Sequence, residues 1–328
     1  MLLERASTTL PKALERMGCL QAQYAPSMYI GLWSRVEGLE REAVTGALER
    51  RKVVQGTLMR STIHLVSAAD YWPLAVAVRE ARREHWARTR KDHSAKDVAA
   101  AAKRLRPRFA EGPLSRAELS ELLDEDPVVV NAVGLWLDLV RVPPSGTWER
   151  RRADLYAAAE DWLGPPKKIA RDEAGDHLVR RYLVGFGPAP LPDIADWAGL
   201  PKPQVAPALE RLRLRRFRDE GGAELVDVPR APLPDPHAPA PPRFLPTWDA
   251  TLLAHVRRTG ILPEEHRPRV FNTRTPQSVA TFLVDGEVGG TWRYDKGRIE
   301  LEPFRKLDSA ARRDLADEAD RLAELHRG

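Results

Sequence analysis

The chain has 328 residues, 43% of them apolar, enough for two or three compact units with substantial cores and too apolar for a disordered polymer. A net charge of +5 and a pI near 9.4 make it mildly basic, and its single cysteine, Cys19, excludes an internal disulfide and a cysteine metal cluster. The apolar runs fall far short of the ~20 residues that span a bilayer, and the N-terminus lacks a basic-then-apolar leader, so the expected location is cytoplasmic, with no membrane association.

Leu10, Leu14 and Met17 form an apolar stripe of helical period, and continuing it lands on Gln21 and Tyr24. An amide therefore stands where a leucine is expected. Gly18 and Pro26 predict that the helix is interrupted between them. In an extended backbone Gln21 and Gln23 share a face and Ala22 points away, so both amides converge on one small object such as a water molecule. The alternative is that they only tie down neighbouring backbone, since an unpaired inward amide costs ~1–3 kcal/mol.

Residues 39–51 read as an amphipathic helix and 53–66 as two strands divided near Gly56 and Arg60–Ser61. Ser67-Ala-Ala-Asp70 has capping-box spacing and opens a long helix. A second capping box, Ser115 to Glu118, opens a helix through Leu123. Residues 128–140 read as a buried helix, with a strand as competitor, and 141–151 as a basic loop the size of a wing. In residues 191–200, Asp193 is the expected N-cap and Gly199 the stop. A further helix over 201–213 leads to a hairpin turning at Gly221–Gly222. Helix, helix and hairpin recur three times, which predicts tandem winged helices. Residues 229–243, with seven prolines, read as an extended connector. Beyond it come a three-strand meander over 281–304 and an amphipathic closing helix over 308–326.

The expected class is thus mainly α with β (α+β): winged-helix regions at 1–95, 96–170 and 171–228, the connector at 229–243, and a β-rich region with a terminal helix at 244–328. Arginine clusters at 79–93, 103–108, 149–152 and 211–218 suit a polyanion, or reflect arginine replacing lysine in a biased composition. The eight histidines make no metal-binding spacing, and no phosphate-binding loop or nucleophile elbow occurs, so neither metal nor cofactor is expected.

"LQAQYAPSMYIGLWSRV" followed by "GTLMRSTIHLVSAADYW" resembles the AlkZ-like family of bacterial DNA glycosylases, as do later blocks "RYLVGFGPAPLPDIADWAGL", "FLPTWDATLLAHVRRTGILPEEHR" and "FLVDGEVGGTWRY". The resemblance implies tandem winged helices around a concave DNA channel and a monomer acting on double-stranded DNA carrying alkylated purines or crosslinks. It also implies a Gln–apolar–Gln catalytic motif, here Gln21-Ala22-Gln23, where one branch of the family has Asp in place of the second Gln. Arg35, Arg60, His64, Asp249, His255, Arg257 and Arg258 fall in the matching blocks and are the expected DNA contacts. A non-catalytic winged-helix regulator or drug-resistance protein is the alternative.

Overall fold

The computed structural model describes residues 1–124, 126–271 and 278–328. Helix α1 (Leu10–Met17) stops where Gly18 turns left-handed at φ 74. Only glycine fits there, because a Cβ would also meet the carbonyl oxygen of Arg181 at 3.0 Å. The chain leaves in an extended conformation as β1 (Leu20–Gln21), then forms α2 (Ala25–Trp33) and α3 (Arg41–Glu49). A hairpin follows, β2 (Val53–Thr57) and β3 (Ile63–Ser67), and β1 pairs with β3 in the register Leu20↔Leu65, Gln21↔His64. Ser67 caps α4 (Ala68–Thr89) by accepting the Asp70 N–H, while the Asp70 carboxylate turns instead to His177 and Arg181.

The same order recurs in α5 (Ala95–Leu105), β4 (Leu114–Ser115), α6 (Arg116–Leu122), α7 (Pro127–Ala132), β5 (Leu139–Arg141) and β6 (Leu155–Ala158), with β4 paired to β6. The expected capping box of Ser115 and Glu118 forms in full. The long helix expected over 128–140 does not. It ends at Ala132 in a 3-10 turn, and Val140 and Arg141 pair with Gly56 and Gln55 of β2. Strand pairing satisfies those backbone groups and suits their branched side chains, so tertiary context overrides the helical pattern. The two hairpins thereby fuse into one six-stranded sheet, ordered β1-β3-β2-β5-β6-β4, that runs across the 95/96 boundary.

Short α8 (Ala159–Leu163) leads to a third set: α9 (Arg171–Phe186), α10 (Leu191–Ala198), α11 (Lys202–Arg211), β7 (Arg215–Arg218) and β8 (Glu224–Asp227). Ala189, between α9 and α10, bridges Val226 of β8 as the first strand does in the other two sets. Asp193 is not the N-cap. Pro190 holds that place, and the Asp193 carboxylate accepts from His255 Nδ1 at 2.9 Å and the Val256 N–H at 3.3 Å. Helix α9 packs on α1, α4 and α11, so the three sets share cores.

The connector forms no helix or strand before β9 (Arg243–Leu245). Then come α12 (Arg267–Val270), β10 (Thr281–Val284), β11 (Glu287–Asp295), β12 (Arg298–Pro303) and α13 (Ser309–Arg327). The expected meander gains β9 as a fourth strand, in the order β12-β11-β10-β9. Phe244, Phe282 and Trp292 bury this sheet against α2 and α3. The class is α+β, 47% helix and 17% strand.

Candidate active site

The interruption at Gly18 sets up the glutamines. Ladder pairing continues past β1, with the Ala22 N–H donating to the Ile63 carbonyl at 2.7 Å. Ala22 is buried at 1% exposure, and the chain bends at Gln23 directly after it. Gln21 is 9% exposed, while Gln23 stands open to solvent.

Both amides are oriented by partners that can only donate. Arg60 Nη2 reaches Gln21 Oε1 at 3.3 Å, and the Ile63 N–H reaches Gln23 Oε1 at 3.3 Å. A flipped amide would set donor against donor, so the carbonyl oxygens must face these groups. Each oxygen keeps a second lone pair for another donor.

Arg60 lies in the turn between β2 and β3, left-handed at φ 51. Its other guanidinium nitrogen donates to the Trp197 carbonyl at 2.5 Å, which ties the first hairpin to α10. Gly199, the left-handed residue ending α10, makes this approach possible, since a Cβ would meet Arg60 N at 2.9 Å and Cα at 3.0 Å. Burial lowers the Arg60 pKa, and the group remains a cation. With both ends bonded inside the protein, its guanidinium is turned away from the free phosphate contact expected of it. Beside it opens a cleft of about 350 Å³ lined by His85, Arg88 and Asp196 among others.

His64 is a correction. Expected on a wing surface, it is 1% exposed, directly opposite Gln21 in the strand pair. Its Nδ1 lies 3.0 Å from the Thr62 carbonyl, so that nitrogen carries the proton. Burial, then the charge of Arg60, pushes its pKa down to about 3, which keeps the ring neutral. Neighbouring Cys19 is likewise silent, its thiol pushed up to about 12 by burial.

Arg35 and Asp249 are a second correction. They form a buried pair, with side-chain exposures of 6% and 0%, joined by two parallel bonds of 2.9 and 2.7 Å. Arg35 also donates to the Gly31 carbonyl and to Thr251 Oγ1. Both side chains are buried, and they join the end of α2 to the 3-10 turn at Ala250–Leu252. His255 is held by Asp193, and Arg258 lies over the Phe271 ring at 5.1 Å. Burial, then the charge of Arg267, lowers the Arg258 pKa. Arg257 is exposed, and it donates locally to Thr259 Oγ1 at 3.3 Å.

Much of the clustered arginine is paired within the protein. Arg79 binds Asp138 and Arg83 the Leu135 carbonyl, pinning α4 to the second set, while Arg82 binds the Thr57 carbonyl of β2. Arg106 and Arg211 are engaged by Glu160, Asp161 and Asp176. The sequence pattern missed the Trp197 carbonyl, a backbone group with no signature, while Gly199 was visible only as a helix stop. Among the described residues no cluster of His, Cys, Asp or Glu could hold a metal ion, and no helix is long and apolar enough to cross a membrane.

Two amides presented on an extended turn of a helix-rich α+β scaffold belong to a recognisable class of protein. Over residues 14–325 the chain matches the family described as DNA glycosylase AlkZ-like, and it belongs to that family of enzymes acting on DNA. Among solved structures it is similar to Streptomyces sahachiroi DNA glycosylase AlkZ, at 18% identity, covering 99% of this chain and 92% of that one with a TM-score of 0.83. At that identity the likeness shows the shared fold alone. No curated protein sequence matches.

Proposed function

We propose that the protein hydrolyses the N-glycosidic bond of N7- or N3-alkylated purines, including crosslinked ones, in double-stranded DNA, as a monomer and with water held by Gln21 and Gln23. One observation carries this reading: each glutamine carbonyl oxygen is oriented by a donor-only partner, Gln21 by Arg60 and Gln23 by the Ile63 N–H. The free lone pair on each carbonyl accepts a water proton and turns the water's own lone pair toward C1′. An alkylated purine already carries positive charge and departs as a neutral base, so little general acid is needed. The carbonyl dipoles face the positive charge that develops on the sugar. An undamaged base, a far poorer leaving group, is left intact by such weak groups.

The order helix, strand, helix, helix, strand, strand, with the first strand on the last, supports reading each set as a winged helix. Exposed Arg257, with His255 and Arg258 on the same segment, contacts the DNA backbone in this reading. Arg60 is reassigned from DNA contact to positioning of Gln21. The test is incubation with duplexes carrying N7-methylguanine or a nitrogen-mustard crosslink, then alkaline cleavage of abasic sites. Strand breaks are expected with the wild type and not with Gln21→Ala/Gln23→Ala. Undiminished breakage by that double variant would refute the role.

A further inference from the structure

Tyr24 follows Gln23 directly and is 40% exposed, unusual for an aromatic ring beside a buried helix. Its hydroxyl accepts from Arg151 Nη1 at 2.9 Å, and the guanidinium lies 5.9 Å from the ring centroid. Arg151 belongs to the arginine run at 149–152, in the connection between β5 and β6. That connection is anchored, not a free wing. Trp148 is 6% exposed and packs edge-on against Tyr29 at 5.6 Å and His326 at 5.0 Å. The Ser145 hydroxyl, also buried, donates to the Arg152 carbonyl at 2.7 Å. The backbone carrying Arg150, Arg151 and Arg152 is thus clamped where it delivers Arg151 to the residue next to Gln23. Asp154 is the one carboxylate bonded to Arg150 and Arg152 among the described residues, so the run keeps a positive excess.

We propose that Tyr24 is a substrate-contacting specificity residue: its open ring stacks on the alkylated purine, while Arg151 braces the ring and meets the flanking phosphate. This rests on the glycosylase reading above. An aromatic face is sequence-tolerant, and its negative quadrupole favours a cationic purine over a neutral one. The contact therefore selects for the charge that marks the lesion.

The experiment compares Tyr24→Phe, Tyr24→Ala and Arg151→Gln with the wild type. Release of 7-methylguanine is followed under single turnover, alongside affinity for undamaged duplex and the thermal midpoint. Tyr24→Phe keeps the ring and is expected within about twofold of wild type. Tyr24→Ala is expected to slow release about tenfold, the size of one lost base–aromatic stack, without changing the midpoint or undamaged-duplex affinity. Arg151→Gln should lower the salt slope of binding by about one. Release by Tyr24→Ala at the wild-type rate overturns the proposal, and so does a loss matched by a fallen midpoint in both Tyr24 variants. A wild type that releases no base from any alkylated duplex overturns the glycosylase reading and this inference with it.

Discussion

Replacing Arg35 by Met separates a structural arginine from a DNA-binding one. Two parallel bonds of 2.9 and 2.7 Å tie its guanidinium to Asp249, whose side chain has no exposure. With Arg35 gone, the Asp249 carboxylate stays buried, and among the described residues the Thr251 N–H at 2.9 Å is the donor left to it. An uncompensated buried charge of this kind costs ~3–5 kcal/mol. At about 1.5 °C per kcal/mol for a chain of this length, the thermal midpoint should fall by roughly 4–7 °C. The double variant Arg35→Met/Asp249→Leu removes both charges and should recover most of the loss. About 1 kcal/mol remains lost because Asp249 also caps the 3-10 turn that follows it. Differential scanning calorimetry measures the midpoints, and fluorescence anisotropy from 50 to 200 mM salt measures DNA affinity. The salt slope should not change, since no phosphate contact is lost. An Arg35→Met protein with the wild-type midpoint and a slope lowered by about one would refute the assignment.

His64 titrates near 3 when folded and near 6.5 when unfolded, so below pH 6.5 the unfolded chain binds a proton that the folded one does not. Its contribution to stability is therefore complete above pH 6.5 and lost progressively down to pH 3, ~4–5 kcal/mol in all. Urea melts across that range should show the loss, and His64→Asn, which retains a donor for the Thr62 carbonyl, should flatten it. Gly199→Ala forces a Cβ to within 3.0 Å of the Arg60 backbone at φ +69 and should destabilise by more than ~1 kcal/mol in denaturant titrations. Arg60→Lys replaces the planar fork, whose two nitrogens reach the Trp197 carbonyl and Gln21 separately, by a single nitrogen. Loss of one bond of ~1 kcal/mol should lower single-turnover base release about fivefold while affinity for undamaged DNA is kept.

Local features were legible and distant ones were not. Gly18, Ser115, Gly199 and the hairpin glycines act on their own neighbours, so the helix break before Gln21, the capping box and the turns could be read from spacing alone. Arg35 and Asp249 are 214 positions apart, and nothing in either block distinguishes an arginine destined for a carboxylate from one destined for a phosphate. Residues 139–141 look helical until the open edge of β2 is present to pair with them. The same holds for the arginine clusters. Charge density is a property of sequence, but whether a guanidinium is free depends on carboxylates and carbonyls brought in by folding.

The surroundings of the glutamines bear on how the site responds to pH. The ionisable side chain paired opposite Gln21 is neutral above about pH 3, and the thiol two residues before it is neutral below about 12. Arg60 remains charged throughout. If a histidine or thiol took part as acid or base, base release would change about tenfold per pH unit on one side of its pKa. With neutral amides positioning water for a pre-charged leaving group, release of 7-methylguanine under single turnover should vary less than about twofold between pH 5.5 and 8.5. A bell-shaped profile centred in that window would mean that a titrating group elsewhere in the cleft moves the proton. A flat profile, lost altogether in Gln21→Ala/Gln23→Ala, would tie the reaction to groups that do not titrate.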